Sequence, residues 1–243
     1  MKILAIDTSN QPLSVAVLDD ENLLATKTTN VSRNHSVTLM PTIQEILKGC
    51  KITVQDIDRF VVAQGPGSYT GLRIGVTAAK VLASTLNKEL VGVSSLKVVA
   101  ANIFPQEDCL IIPYFDARNQ NVFAAAYQWK NGILETKIAD MHISFDNLLN
   151  KLSELDQRVI FVGKENDEFV KMAQKNLKLA FTFASADYQI PQAAILGRLG
   201  AKENTSDIDS FVPQYKRLTQ AELQWMEKHP EEKNSHGSYV EKV

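Results

Sequence analysis

Apolar and polar positions recur along the chain in two periods, and the switches between them mark its elements. Residues 2–7 form a short apolar run ending in Asp7. Residues 13–18 (LSVAVL) and 22–29 follow as β-rich pieces, bounded by Asn10-Gln11-Pro12 and Asp19-Asp20. Three turn-bounded runs so close together predict an antiparallel meander. From residue 35 to 48 the period lengthens, and Leu39, Ile43, Ile46 and Leu47 fall at helical spacing. Ser36 is placed to cap this helix and Gly49 to end it. A buried-type strand at 59–64, a helix at 69–86, a strand at 90–93 and a helix from Ser94 or Ser95 to about Ile103 complete the first half.

The second half repeats the order. Residues 109–116 (CLIIPYFD) are again an apolar run ending in Asp. Strands at 121–129 and 132–139, a helix at 144–152 capped by Ser144, a strand at 158–162 and a helix at 165–176 come next. A short extended piece at 181–183 and a helix at 192–202 follow. The repeat is one of pattern, with little identity between residues. Each half opens on a strand ending in Asp (Asp7 and Asp116) and runs strand-strand-strand-helix-strand-helix. That order matches the half-domain of actin-like ATPases. The expected fold is therefore α/β, with two actin-like half-domains, each a mixed β-sheet with flanking helices. The expected division assigns residues 1–104 to the first half-domain and 105–228 to the second, which ends in a helix at 219–228. The polar stretch 229–243 is expected to be a disordered tail.

Composition narrows the function. The 243 residues are 44% hydrophobic and 22% charged, a globular balance, and the net charge of −2 carries no bulk signature of nucleic-acid binding. One Lys and a few apolar residues ahead of Asp7 are too short for a signal-peptide core, and no apolar run reaches membrane-spanning length. Cys50 and Cys109 are too few and too isolated for a disulfide framework or a zinc site. The expected location is a reducing cytoplasm, with no membrane partner.

The most informative stretch is Gly65-Pro66-Gly67-Ser68-Tyr69-Thr70-Gly71-Leu72-Arg73-Ile74-Gly75, between a strand and a helix. Gly65 and Gly67 permit a tight turn with positive φ, and Pro66 stiffens it. The helix start behind it offers free N–H groups to an anion, or serves only as a packing turn. It is not a Walker A loop, since no Gly-Lys-Ser/Thr follows. Within the helix, Gly71, Gly75, Ala79 and Ala83 stack on one face. Interior glycines cost roughly 1 kcal/mol each against alanine, so a close approach is expected there. The approaching surface is either the protein's own sheet or the 35–48 helix, or else a partner helix.

These motifs together resemble the TsaB family, companions of TsaD in making threonylcarbamoyladenosine in tRNA. Ile6-Asp7-Thr8-Ser9 is similar to that family's opening. Arg33-Asn34-His35-Ser36 with Leu39-Met40-Pro41 resembles its first helix, and Phe115-Asp116-Ala117-Arg118 its DAR segment. Pro213-Gln214-Tyr215-Lys216-Arg217 with Ala221-Glu222 resembles its close. The resemblance implies a scaffold that binds and activates TsaD, with TsaE joining the complex and a homodimer when TsaD is absent. It also implies that tRNA is met only through the complex, whose reaction modifies the adenosine next to the anticodon in tRNAs reading codons that start with A. It points to helices 35–48 and 69–86 as the docking face, through Leu39, Ile43, Leu47, Gly71, Gly75, Ala79 and Ala83.

Enzymes of the TsaD kind carry two metal-binding histidines where this chain has Ser95 and Val99. Neither side chain substitutes for an imidazole on a catalytic metal. The four histidines, His35, His142, His229 and His236, form no pair at helical spacing. Neither Asp-containing loop holds a glycine where actin-like ATPases bring backbone against phosphate. Asp7 and Asp116 either offer magnesium a water-mediated site or cap turns. The expectation is no catalysis, no metal and no cofactor. The competing reading is a degenerate actin-like ATPase or sugar-kinase relative; a metallopeptidase is disfavoured by the absent histidine pair.

Overall fold

The computed structural model describes residues 1–31, 34–106 and 108–217. The expected helix at 219–228, the tail at 229–243, Arg33 and the Ala221-Glu222 match lie outside the described residues. Strands β1 (Lys2–Asp7), β2 (Leu13–Asp19), β3 (Asn22–Thr29), β4 (Arg59–Gly65) and β5 (Glu89–Ser94) form one sheet in the order β3-β2-β1-β4-β5. β1 pairs antiparallel with β2 and parallel with β4. Strands β6 (Cys109–Asp116), β7 (Asn121–Lys130), β8 (Ile133–Ser144), β9 (Arg158–Val162) and β10 (Phe181–Phe183) form the second sheet, in the order β10-β9-β6-β7-β8. β6 pairs antiparallel with β7 and parallel with β9. The two sheets therefore share one topology, and the mixed α/β architecture expected from the pattern repeat is present in both.

Alternation with period two sends the strand residues to opposite faces. On the first sheet Leu4, Ile6, Val15, Val17, Phe60 and Val62 pack beneath α1 (His35–Gly49) and α2 (Tyr69–Leu86). Ile3, Ala5, Ala16, Leu18, Val61 and Val91 pack on the other face against α6 (Ala193–Lys202). On the second sheet Leu110, Ile112, Tyr114 and Phe161 lie under α4 (Phe145–Ser153) and α5 (Asp167–Asn176). Ile111, Ala125, Tyr127 and Ile160 face Leu96, Val99 and Ala100 of α3 (Ser95–Ala100). Each buried Leu, Ile or Val contributes roughly 1.5–3 kcal/mol.

Although α6 follows the second sheet in the chain, it returns to cover the first. A Cβ on Gly197 or Gly200 would lie 2.4 Å from Leu18 or 2.3 Å from Val61, so the close seat needs glycine. The Arg59 guanidinium holds α6 in place by donating to the carbonyls of Gly200, Ala201 and Glu203 at its C-terminal end. Residues 211–217 continue along the first sheet, where the Gln214 N–H donates to the Gln64 carbonyl at 2.8 Å.

Local signals were right about most ends and wrong about some caps. Asn34, not Ser36, caps α1: its side chain accepts from the Ser36 N–H, while the helix ends at Gly49 as expected, with Cys50 as its C-cap. β8 runs to Ser144 rather than stopping near residue 139, because Met141, His142 and Ile143 still pair with β7. α3 stops at Ala100.

Candidate functional site

All seven residues expected at a docking face lie inside the protein. Leu39, Ile43, Leu47, Ala79 and Ala83 belong to the cluster beneath α1 and α2, and Gly71 and Gly75 are buried with them. A Cβ at Gly71 would sit 2.1 Å from the Thr8 carbonyl oxygen, and one at Gly75 would sit 2.4 Å from Thr8 Oγ1. The small-residue strip therefore seats α2 on the end of β1, and its close neighbour is the protein's own backbone. In the free chain these side chains serve the protein's own packing, and of the seven Leu39 also reaches the groove between the two helices. The outward faces of the same two helices are apolar as well. Val37 is 66% exposed, Met40 43% and Val81 55%. Between the helices runs a groove of ≈ 500 Å³ lined by Leu39, Met40, Ile74, Ala78, Val81 and Leu82, with Ser36, Arg73 and Thr77 at its edge. Sequence reasoning quoted Met40 and Ile74 only as parts of motifs and passed over Val81. They too recur at helical spacing, on a second face of each helix that the stronger core stripe obscured.

The Gly-Pro-Gly turn ends β4 and starts α2. Gly65 has a φ of 125° and lies against the Gln214 carbonyl, so the turn requires glycine there. Gly67 is different: its φ is not positive, and it is needed because a Cβ would come 2.2 Å from the Ser9 carbonyl oxygen. The Ser68 N–H donates to that same oxygen at 2.7 Å, and the Ser68 side chain caps α2. The turn thus closes against the loop after β1.

Both strand-end carboxylates organise turns. Asp7 Oδ1 accepts from the Ser9 N–H at 2.9 Å and from Ser9 Oγ at 2.7 Å. Asp116 Oδ1 accepts from the Arg118 N–H at 2.7 Å. Asp7 is fully buried, and its Oδ2 has no hydrogen-bond partner. Burial pushes its carboxyl above the usual carboxylate range; the Ser9 hydrogen bonds and the nearby His35 oppose that rise. His35 opens α1, with Nε2 2.9 Å from the Asn10 carbonyl oxygen.

Between the two sheets, at the C-terminal ends of β1, β4 and β6, lies a cleft of ≈ 810 Å³. Its walls come from the loops after β1, β4 and β6 and from the 214–217 segment. Tyr215 stacks on Tyr69 with ring centroids 4.8 Å apart, and the Arg73 guanidinium lies 5.2 Å from the Tyr69 ring centre on α2. Arg217 reaches across to donate to the Ala117 carbonyl. Sequence reasoning quoted Tyr69, Arg73 and Tyr215 only as parts of motifs. No local signal joins Tyr215 to Tyr69 and Arg73.

Ser95 and Val99 are both fully buried, Val99 among the apolar residues that join α3 to the second sheet. Among the described residues no three His, Cys, Asp or Glu side chains group together in a way suited to a metal ion. No helix among them is long and apolar enough to cross a membrane.

Comparison with known proteins agrees with this architecture. The family model for "TsaD: tRNA N6-adenosine threonylcarbamoyltransferase" matches residues 24–225. The tRNA threonylcarbamoyladenosine biosynthesis protein TsaB of Bacillus subtilis (strain 168) is 40% identical over 93% of this chain and 99% of its own. The protein of the same name in Escherichia coli (strain K12) is 30% identical over 67% of this chain and 71% of its own. Among solved structures, YeaZ from Pseudomonas aeruginosa superposes with a TM-score of 0.73 at 21% identity, covering 88% of this chain and 99% of that one. A ROK hexokinase from Thermus thermophilus shares the fold at a TM-score of 0.52 and 8% identity, covering 83% of this chain and 99% of its own. With nearly the whole chain aligned to a relative at 40% identity, and the two-sheet fold matching, the chain belongs to the TsaB family.

Proposed function

We propose that this chain is a non-catalytic subunit of the machinery that forms threonylcarbamoyladenosine in tRNA, and that it acts by docking and activating a TsaD-type enzyme. The observation that carries the reading is the apolar groove on the outer face of α1 and α2, where Met40 and Val81 stand exposed and Val37 is exposed on the same helix as Met40. Large apolar side chains grouped on one surface mark a protein interface more often than chance placement does. A partner helix laid between α1 and α2 would bury that group, the helix-in-groove mode of recognition. In the same reading a second copy of the chain covers the groove when the partner is absent. TsaE joins through the enzyme, and tRNA is met within the complex. Residues 1–104, with α6 and residues 211–217 packed on their sheet, supply the docking lobe, and β6 to β10 with α4 and α5 form the second lobe. The site of action is the cytoplasm.

Two observations support the absence of catalysis in this chain. Val99 is packed in an apolar cluster where the enzyme relatives are expected to carry a metal ligand. The turn before α2 closes on Ser9 instead of leaving backbone open to phosphate, which also disfavours an ATPase or sugar kinase.

Reconstitution tests the reading. The TsaD-type enzyme from the same organism, tRNA and the threonylcarbamoyl donor are combined with and without this chain, and modified nucleoside is measured by mass spectrometry. The enzyme and this chain together are expected to modify tRNA, the enzyme alone to do so far more slowly, and this chain alone not at all. Equal modification without this chain, or modification by it alone, would overturn the proposal.

A further inference from the structure

The cleft between the sheets and the α1/α2 groove are lined by different residues, with Arg73 of the groove edge lying over Tyr69 of the cleft. Its volume of ≈ 810 Å³ is that of a small-ligand site. It lies beyond the C-terminal ends of parallel strands, where α/β sheets hold ligands. One wall is the stacked pair Tyr69 and Tyr215, 47% and 43% exposed, with Arg73 over Tyr69. Phe115 and Phe123, register partners on β6 and β7, contribute half-buried rings to the other side. Among the described residues, Arg118, Lys216 and Arg217 bring three exposed positive charges to the lining against the single carboxylate of Asp116. That balance is opposite in sign to the chain's net charge of −2. Aromatic surface beside clustered cations is the chemistry that holds a base and its phosphate.

We propose that this cleft binds one nucleotide unit, with the base on the exposed surface of Tyr215 and a single phosphate among Arg118, Lys216 and Arg217. The limit to one phosphate comes from the backbone. A polyphosphate needs main chain that opens beside it, and here the approach is filled. The Ser9 carbonyl occupies the space beside Gly67 and accepts the Ser68 N–H, and the loops after Asp7 and Asp116 contain no glycine. Phosphate is therefore held by side chains at the mouth. The unit is either a free nucleoside monophosphate or an unpaired nucleotide of an RNA strand, which present the same groups.

The test uses the full chain at low salt, with AMP followed by calorimetry and a fluorescein-labelled single-stranded RNA hexamer followed by anisotropy. Wild type is compared with Tyr215→Ala, Arg118→Gln and Lys216→Ala. At least one probe should saturate, and Tyr215→Ala should weaken it roughly 5- to 100-fold. The two cation variants should weaken it and flatten its salt dependence. If Tyr215→Ala lowers the melting temperature by unstacking Tyr69, the exposed Arg118 and Lys216 positions decide the matter. RNA displaced by AMP identifies a free nucleotide as the ligand, and RNA that about 1 mM AMP fails to displace identifies a strand. The proposal is overturned if neither probe binds more tightly than about 1 mM. It is equally overturned if all three variants bind like wild type, or if ATP binds more tightly than AMP. Assembly with the TsaD-type partner, measured on the same variants, should be unchanged, so failure here is distinguishable from failure of the docking reading.

Discussion

Replacing Gly71 with alanine separates an inward-facing strip on α2 from an outward-facing one. The added Cβ would lie 2.1 Å from the Thr8 carbonyl oxygen and 3.3 Å from its carbon, where ordinary contact is 3.4–4 Å. Thr8 follows Asp7 at the end of the central strand β1 and is buried, so its backbone has little room to retreat. The helix must move instead, which strains the hydrogen bond from Thr8 Oγ1 to the Gly71 carbonyl, 2.7 Å in the native packing. Overpacking of this kind costs about 1–3 kcal/mol. Loss of the hydrogen bond adds about 1 kcal/mol, and the better helix propensity of alanine returns about the same amount. A net loss of about 1–3 kcal/mol lowers the melting temperature by roughly 2–12 °C in a chain of this size. Gly75→Ala should cost a similar amount, because its obstacle, Thr8 Oγ1 at 2.4 Å, can rotate away only by giving up its hydrogen bond to the Gly71 carbonyl. Ala78→Leu, on the half-buried outer side, should leave the melt nearly unchanged. Thermal unfolding by circular dichroism ranks the three, and size exclusion with the TsaD-type partner reads assembly. A Gly71→Ala protein that melts like wild type and fails to assemble would refute the inward packing of the strip.

Three further outcomes follow from the same packing. Asp7 is held above its ordinary value of 3.8 by burial, so its contribution to stability is full below that value and is lost as pH rises through the native one. Asp7→Asn keeps the acceptor for Ser9 and removes the buried charge. It should therefore melt higher than wild type near pH 8, with the gap closing toward about pH 4; a lower melt near pH 8 contradicts the reasoning. Arg59→Ala removes the donor to three carbonyls at the end of α6 and should cost about 1.5–3 kcal/mol in denaturant titration. Arg59→Lys should recover only part of that, because a lysine lacks the planar fork. Phe145→Ala empties a fully buried site stacked on Phe169 at 4.2 Å and should cost about 3–5 kcal/mol by the same titration.

The fold was legible because burial and period coincide in it. The runs ending in Asp7 and Asp116 are central strands buried on both faces, and near-continuous apolar runs signal that reliably. Where long-range pairing decided the outcome, local signals fell short. β8 is extended by its ladder with β7, and α6 by position follows the second sheet while its glycines fit only the first. The small-residue strip on α2 is a related case. Small residues in a helix announce close approach without saying which side approaches, and Thr8, far away in sequence, is what fills the space. Gly67 shows the same thing, serving contact with Ser9 and not a positive φ. The cleft was invisible until the chain folded, since Tyr69 meets Tyr215 only through the 211–217 segment laid along β4.

The docking claim is tested most directly by Val81→Asp. Val81 is 55% exposed and lines the α1/α2 groove, so in the free chain the carboxylate meets water and stability should change by no more than about 0.5 kcal/mol. In a complex that covers the groove the same carboxylate is buried without a partner. Titration calorimetry against the TsaD-type enzyme should then show affinity weakened by about 100-fold or more, with an unchanged melt. Wild-type affinity from a Val81→Asp protein of unchanged melt would place the interface elsewhere and contradict the account.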